Sequence, residues 1–369
     1  MSYSYPKALY VIRLNVENVS IISSYLTWGF PAPSAFTGLM HNLQRQLNKM
    51  DAYREVECCG IGIISHQFTP QVTKSSSYRY SPYQLNLARH PLKADGSTPA
   101  MIEEGKGHIE VSLVIGFTGE GLEQYLSAND EDLSEASQAL LKKITQFIYS
   151  MRLAGGSIFP HKRIQPKLMN WSRSEADEKT KALRRYVLPG FALQHRQEVL
   201  LAHQAWLQQY PNYLATQKAE PNLLDTLLDI QRLNFVSTEN DESLEVGDAK
   251  EKLGSWKIRS RPEHLKGWLV PIPIGYAALT DVQEQGVIKG LRNDQYPATF
   301  VETLLSLAEW QSPHRIENIT DILWNYSSEP KKGVYELVQP FAPKQNLTSL
   351  SNNDSENQSI EFESEEEEY

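Results

Sequence analysis

The sequence is poor in cysteine and contains no long apolar run. Its 369 residues include two cysteines, the neighbours Cys58 and Cys59. Adjacent residues on a strand point to opposite faces, so these thiols make a poor metal clamp and a poor disulfide pair. No apolar run reaches the roughly 18 residues that a membrane span requires. Residues 1–16 lack the basic region, apolar stretch and cleavage site of a signal peptide. These absences predict a cytoplasmic protein without a membrane anchor.

Motifs for nucleotides and metals are missing as well. The run GIGIIS at 60–65 lacks the third glycine of a dinucleotide fingerprint and does not open a helix. The nine histidines are scattered, and none pairs with another at the spacing of metal ligands. We therefore expect neither a metal nor a cofactor.

The chain has little net charge once its C-terminal end is set aside. The formal charge is −9, but residues 346–369 hold eight acids and no Lys or Arg, which leaves −1 for the rest. Such a polar, acidic end is expected to be disordered. Residues 142–185 carry eleven Lys or Arg against three acids, and residues 69–94 carry four cations and no acid. Basic stretches in a near-neutral body favour a polyanionic partner.

Hydrophobic periodicity predicts an α+β fold. Strands are expected at 8–16, 57–68, 108–116 and 152–159, and amphipathic helices at 34–50 and 131–150. This β-α-β-β-α-β order is that of a ferredoxin-like or RNA-recognition domain, with two helices on one face of the sheet. The other face should be open and carry the polar strand residues. These are Arg13, Asn15, His66 and His108.

The secondary structure and domain boundaries of the rest of the chain are less clear from the sequence. The polar connection at 69–106 is too long for a hairpin turn and predicts a large insertion. Beyond it we expect a mixed, mainly helical part. Its predicted helices are 196–210, 222–232, 298–310 and 314–327, its predicted strand is 267–276, and 237–255 is predicted to be an acidic loop or linker. The expected domains are 1–160 with the insertion, 161–344 packed on it, and a tail at 345–369.

Residues 25–47, YLTWGFPAPSAFTGLMHNLQRQL, crowd aromatic residues and prolines directly before the first predicted helix. Such a loop either fills a core or forms one wall of a binding surface. The sequence leaves both interpretations open.

The stretch MRLAGGSI at 151–158 is a candidate phosphate contact. Gly155, Gly156 and Ser157 could present backbone N–H groups to a phosphate, and Arg152 adds a positive charge beside them. A tight turn between a helix and a strand would explain the same residues without any ligand.

A second candidate is the tyrosine-rich part of the insertion. Tyr78 and Arg79, followed by Arg89 and His90, combine ring faces for base stacking with cations for the backbone of a single strand. A solvated loop or a protein interface explains this composition equally well.

Several long segments, in order along the chain, resemble one family. They are LTWGFPAPSAFTGLMHNLQR, MRLAGGSIFP, LPGFAL, GWLVPIPIGYAAL, FVETLLSLAEWQSPHRI and DILWNYSSEPKKGVY. They are similar to the small, Cas-five-type subunit that caps the 5′ end of CRISPR RNA in the type I-F (Csy) surveillance complex. The resemblance covers about residues 8–340, although 285–293 follow the family pattern only loosely.

The resemblance implies a repeat-associated mysterious protein (RAMP) fold without catalytic activity. It implies that the chain holds the 5′ handle of the CRISPR RNA (crRNA), pairs with the large subunit and adjoins the backbone subunit. It leaves open a contact with target double-stranded DNA. On this basis Arg13, Arg152, Gly155, Gly156 and Ser157 are predicted to contact the handle, with the tyrosine-rich insertion as a further candidate.

Two other functions remain open from the sequence. A RAMP-superfamily endoribonuclease would process repeat RNA by general acid–base catalysis, with His41, His66 or His108 as the base. A pure scaffold would use its basic stretches to meet an acidic protein surface.

Overall fold

The computed structural model describes residues 3–74, 83–89, 91–126, 133–210, 220–246, 249–291, 293–329 and 333–343, without the side chains of 237–246 and 249–255. The chain forms two compact units. The first comprises Met1–His195, Ile272–Leu305 and Glu309–Pro343, and the second includes Arg196–Pro271 and Ser306–Ala308. The predicted division at residue 160 is not the point at which these units separate. The predicted tail lies outside the described residues.

The elements follow in chain order. The strands are Ala8–Ser20 (β1), Glu57–Pro70 (β2), Val72–Lys74 (β3), Tyr83–Arg89 (β4), Met101–Glu104 (β5), Lys106–Thr118 (β6), Arg152–Leu153 (β7), Gly156–Pro160 (β8), Lys167–Asn170 (β9), Phe191–His195 (β10), Phe235–Val246 (β11), Ala249–Ile258 (β12), Leu269–Ala278 (β13), Val301–Gln311 (β14), Leu323–Glu329 (β15) and Val334–Val338 (β16). The α-helices are Pro33–Leu47 (α1), Glu135–Ser150 (α2), Ala176–Val187 (α3), Gln197–Gln209 (α4) and Leu223–Gln231 (α5). The α+β class is therefore confirmed.

The first unit is built on an antiparallel sheet in which β2, β6, β1 and β8 are successive neighbours. The alternation of β1 places Tyr10, Ile12, Leu14 and Val16 on one face, which we call the first face, and all four are buried. The Tyr10 hydroxyl lies 2.8 Å from Oγ1 of Thr145 in α2, and α1 contacts both α2 and β2. The predicted pair of helices thus covers this face.

Helix α1 begins one residue earlier than predicted. Pro33 occupies the first turn and Ala32 is the N-cap, whereas the predicted helix begins at residue 34. Proline is favoured there because its fixed φ suits a helix and the first N–H has no helical acceptor.

The opposite, second face of the sheet is open only in part, which corrects the expectation. Its apolar half, with Leu9 and Val11 of β1, packs in a buried cluster with Leu183 and Val187 of α3. The prediction treated all polar strand positions as belonging to one open surface. A third helix, which the prediction did not include, closes the apolar half and leaves only the polar half accessible.

The predicted helices at 298–310 and 314–327 are wrong. Val301–Gln311 is a strand, and a short 3₁₀ turn leads into β15. Leu323 and Trp324 of β15 pair with β2, and Trp324 Nε1 donates to the Leu193 carbonyl at 3.1 Å. Strands buried on both faces show continuous apolar runs, which periodicity cannot distinguish from a buried helix.

Asp321 gives a pH-dependent prediction for this region. Burial raises its pKa to about 6; the backbone N–H of Asn318 opposes the shift and the charge of Glu317 adds to it. The folded-state pKa lies above the unfolded value of about 3.9, so ionisation costs stability as the pH rises through this interval. We expect Asp321→Asn to raise the free energy of unfolding by about 1 kcal/mol at pH 7.5, after discounting for partial exposure.

Thermal unfolding of the wild type and of the Asp321→Asn variant at pH 7.5 and near pH 4 checks this. The difference in Tm should shrink at the lower pH. Glu317→Gln, at a neighbouring exposed acid, is the control and should change Tm much less. An equal gain at both pH values would contradict the assignment.

Candidate nucleic-acid interface

A groove lies on the polar half of the second face, at the edge of β1. Two short strands, β8 and β9, both pair with this edge. Strand β8 pairs with Leu14–Glu17 and β9 with Ala8–Val11, so residues 161–166 connect them beside the gap between these segments. The resulting cavity has a volume of about 440 Å³. It is lined by Arg13, Asn15, Glu110, His161, Lys162, Arg163 and Ile164.

Glu110 at the floor of the groove offsets the charge of Arg13. Arg13 Nε donates to Glu110 Oε1 at 2.6 Å, and the two side chains are only 10% and 21% exposed. His161 Nε2 lies 3.6 Å from the same oxygen. Arg13, a predicted contact, therefore lies in the groove, but Glu110 largely neutralises its charge.

The rim of the groove carries the exposed positive charge. His161 Nδ1 accepts the backbone N–H groups of Arg163 at 3.2 Å and Ile164 at 3.0 Å, which fixes the turn. Lys162 and Arg163 are exposed and form no ion pair with any described residue. Two free cations above a polar floor can bind phosphate oxygens.

The chain matches one protein family over most of its length. Residues 9–337 match the family described as CRISPR-associated protein (Cas_Csy2). The chain belongs to this family. The CRISPR-associated protein Csy2 of Pseudomonas aeruginosa (strain UCBPP-PA14) is 38% identical over 350 residues, which cover 92% of this chain and 98% of that protein. The resemblance to a Csy protein is thus confirmed, and the role within a complex remains a prediction.

The other predicted contacts of this Csy2-family chain lie in a hairpin next to β1. Arg152 pairs with Ser157 and Leu153 with Gly156, so residues 154 and 155 form the turn, with φ values of 48° and 76°. Arg152 is exposed, and its Nη1 donates to the Gly155 carbonyl at 3.2 Å. Arg152 remains a candidate phosphate contact, while the turn alone accounts for Gly155.

Gly156 has a packing role that its neighbour lacks. A Cβ at Gly156 would lie 2.6 Å from the Glu17 backbone oxygen, whereas a Cβ at Gly155 would meet nothing within 4 Å. We expect Gly155→Ala to cost about 1 kcal/mol through its positive φ, and Gly156→Ala to cost about 2–3 kcal/mol through displacement of β1. Thermal unfolding of both variants tests this order, which a more stable Gly156→Ala variant would refute.

Most of the candidate RNA contacts in the tyrosine-rich part of the insertion are not among the described residues. Tyr78, Arg79 and His90 lie outside the described residues. Arg89 is exposed at the end of β4, which pairs with β3 and β5 in a separate three-stranded sheet. The long connection at 69–106 therefore contains a folded insertion, and its contact with RNA remains a prediction.

The sequence pattern did not single out Lys162 and Arg163, which the structure places at the groove. Both were counted in the basic excess of 142–185, but that excess is divided between the two faces of the sheet. Lys142 and Lys143 belong to α2 on the first face, and residues 161–163 lie at the groove on the second. The only local signal was the sequence HKR directly after the strand that ends at Pro160.

The three histidines proposed for a nuclease have different partners. The ring of His41 lies 5.9 Å from that of Tyr326, and His108 Nε2 lies 2.9 Å from Gln71 Nε2. His66 Nδ1 lies 2.5 Å from the Pro189 carbonyl, which can only accept, so Nδ1 carries the proton and Nε2 accepts from Ser112 at 2.7 Å. These histidines do not form one catalytic cluster.

His66 is held neutral beside the groove. Burial lowers its pKa, the Pro189 carbonyl opposes this shift, and the positive charge of Arg13 reinforces it. Both ring nitrogens of His66 are therefore engaged by neighbouring groups. Within the part of the chain that the structure describes, no group of three His, Cys, Asp or Glu could hold a metal ion.

The loop before α1 packs one aromatic side chain inward and leaves two others exposed, so its role in a binding surface remains a prediction. Phe30 packs with Phe36 at 5.7 Å and with Trp310 at 4.8 Å between ring centroids, so it fills a core. Tyr25 and Trp28 are exposed. The backbone N–H groups of residues 23 and 24 both donate to the Thr27 carbonyl, which fixes the tip that presents these two rings.

Proposed function

We propose that this chain is a non-catalytic subunit of a type I-F Csy surveillance complex and holds the 5′ handle of the crRNA. The observation that carries the proposal is the groove with two exposed rim cations, Lys162 and Arg163, which form no ion pair with any described residue. Single-stranded RNA offers closely spaced phosphates, and neutralising them releases counterions. The groove is built so that RNA can gain this binding energy without displacing an internal ion pair.

The arrangement of the first unit supports a RAMP-type interpretation. The strands β2, β6, β1 and β8 lie side by side in the connectivity β-α-β-β-α-β, with α1 and α2 on one face. RNA-recognition domains of this kind present the opposite face, and here its polar half carries the groove. Arg152, on the adjacent hairpin, could extend the backbone contact.

The proposal includes the partners that the resemblance implies. The chain would pair with the large subunit and adjoin the backbone subunit, in the cytoplasm, and target double-stranded DNA could approach the same assembly. The described part of the chain contains no helix long and apolar enough to cross a membrane.

The first experiment is to tag the chain in its own cells, purify it and sequence the RNA that accompanies it. We expect RNAs that share one short repeat-derived 5′ end and differ in their spacers. Ultraviolet cross-linking followed by peptide mapping should place that 5′ end at Lys162 or Arg163. Protein subunits that co-purify without RNA would indicate that the chain is a protein scaffold instead. Steady cleavage of repeat RNA, abolished by alanine at one of His41, His66 or His108, would indicate the nuclease instead.

A further inference from the structure

The segment predicted to be an acidic loop is a β-ribbon. Strands β11 and β12 pair antiparallel, with Phe235 opposite Ile258 and Ser237 opposite Trp256, and no third strand of the described chain joins them. We call Phe235–Ile258 the acidic ribbon. Residues two apart share a face, so Phe235, Trp256 and Ile258 lie together on one side. Val236 and Lys257 are opposite each other on the other side.

Three large apolar side chains at the base of this face of the acidic ribbon are exposed. Phe235 is 57%, Trp256 72% and Ile258 57% exposed. A two-stranded ribbon in water is marginally stable on its own, and clustered large apolar side chains on such a surface mark an interaction site. Tryptophan and phenylalanine supply large contact areas with few rotatable bonds.

A buried ion network fixes the base of the acidic ribbon. The Arg259 backbone N–H donates to the Asn234 carbonyl at 2.7 Å, and Arg259 Nη2 donates to Asp229 Oδ2 at 2.5 Å. Asp229 also accepts from His203 Nε2 at 2.8 Å, with both of these side chains fully buried. The Arg259 guanidinium lies over the Trp206 ring at 5.4 Å. The ribbon therefore projects from α4 and α5 in a fixed orientation. This reduces the conformational entropy that the ribbon loses when it docks.

The charge of the acidic ribbon selects the kind of partner. Residues 235–258 contain six acids and three lysines. This excess of negative charge repels RNA and DNA phosphates but complements a protein surface rich in Lys and Arg. We propose that the apolar face of the acidic ribbon docks into an apolar cleft, bordered by basic side chains, on another protein subunit of the same complex. The choice of that partner rests on the proposed function.

The face-specific test uses a photo-crosslinking phenylalanine derivative at position 256 or, as the matched control, at position 257. Each full-length chain is expressed with all protein subunits and the guide RNA of its own system, purified and irradiated. We expect a cross-link to one protein subunit from position 256 and its loss at position 257. Equal yields from both positions, a cross-link to RNA, or no cross-link from 256 would overturn the ribbon proposal.

A binding measurement complements the cross-linking. The double variant Phe235→Ser/Trp256→Ser should weaken affinity for the cross-linked subunit roughly 30-fold, as expected for buried aromatic anchors. Lys257→Ser, on the opposite side, should leave it unchanged. Equal losses in both variants would overturn the proposal.

The two proposals fail in distinguishable ways. Guide RNA in the purified complex without a cross-link from position 256 overturns the ribbon proposal alone. A cross-link to a protein subunit in a complex that lacks guide RNA supports the ribbon and overturns handle binding.

Discussion

Asp229→Ala is expected to lower the free energy of unfolding of the second unit by about 3–5 kcal/mol. The substitution leaves the buried Arg259 guanidinium without its carboxylate, and His203 loses the acceptor for its Nε2 proton. Removing one partner of a buried pair costs this much because the other charge remains desolvated and unpaired. The effect should be concentrated in α4, α5 and the base of the acidic ribbon.

Hydrogen–deuterium exchange resolved by peptide is the appropriate measurement, because the chain has two compact units. Amides of α4, α5 and β11 should exchange much faster in the variant, whereas those of β1 and β6 should not change. Asp225→Ala, at the capping box of the same helix, is the control and should cost about 1 kcal/mol. Similar exchange in both variants would mean that the buried network contributes little.

The contacts with His203 and Arg259 also determine the pKa of Asp229. Burial alone would raise its pKa, but hydrogen bonds from His203 and Arg259, together with the positive charge of Arg259, outweigh burial and hold the pKa below its usual value. The carboxylate therefore contributes stability above its unfolded pKa of about 3.9, and that contribution is lost as the pH falls through the lower folded value.

Charge reversal at the groove, Lys162→Glu with Arg163→Glu, is expected to weaken binding of a 5′-handle oligonucleotide by about 10- to 100-fold. The dependence of log K on log salt should also become shallower by about 1.4, because two phosphate contacts to a single strand are lost. Both side chains are exposed without an ion-pair partner among the described residues, so the fold should not change.

Lys142→Glu with Lys143→Glu is the matched control, since it makes the same charge change on α2 at the first face of the sheet. This variant should lose much less affinity and keep the wild-type salt slope. Titrations at several salt concentrations separate the two cases. Equal losses in both variants would indicate attraction to the overall charge of the protein, and the groove would then not be the handle site.

Local periodicity predicted the framework of the first unit correctly. The alternation at 8–16 identified β1, and the helical periodicity at 34–50 identified α1. The strand at 267–276 and the helices at 196–210 and 222–232 are also found. These elements are set by the spacing of apolar side chains within one segment, which is visible in the sequence.

The predictions for the C-terminal half were wrong because they did not include the pairing of strands with one another. The stretch 301–311 is a strand that lies between β10 and β13 in the sheet, and 237–255 forms a ribbon by pairing with itself. Strand preference depends mainly on the neighbours that a side chain meets across the sheet. A single segment carries little information about those neighbours.

By itself, the sequence determined the first sheet-and-helix layer, the family and the presence of basic surface. The tertiary structure decided which of the cations can act together. It enclosed Arg13 with Glu110, separated Lys142 and Lys143 from Lys162 and Arg163, and covered half of the second face with α3. Charge along a chain is read residue by residue, but an electrostatic site depends on distances and burial, and these are fixed only when strands distant in sequence pair and pack.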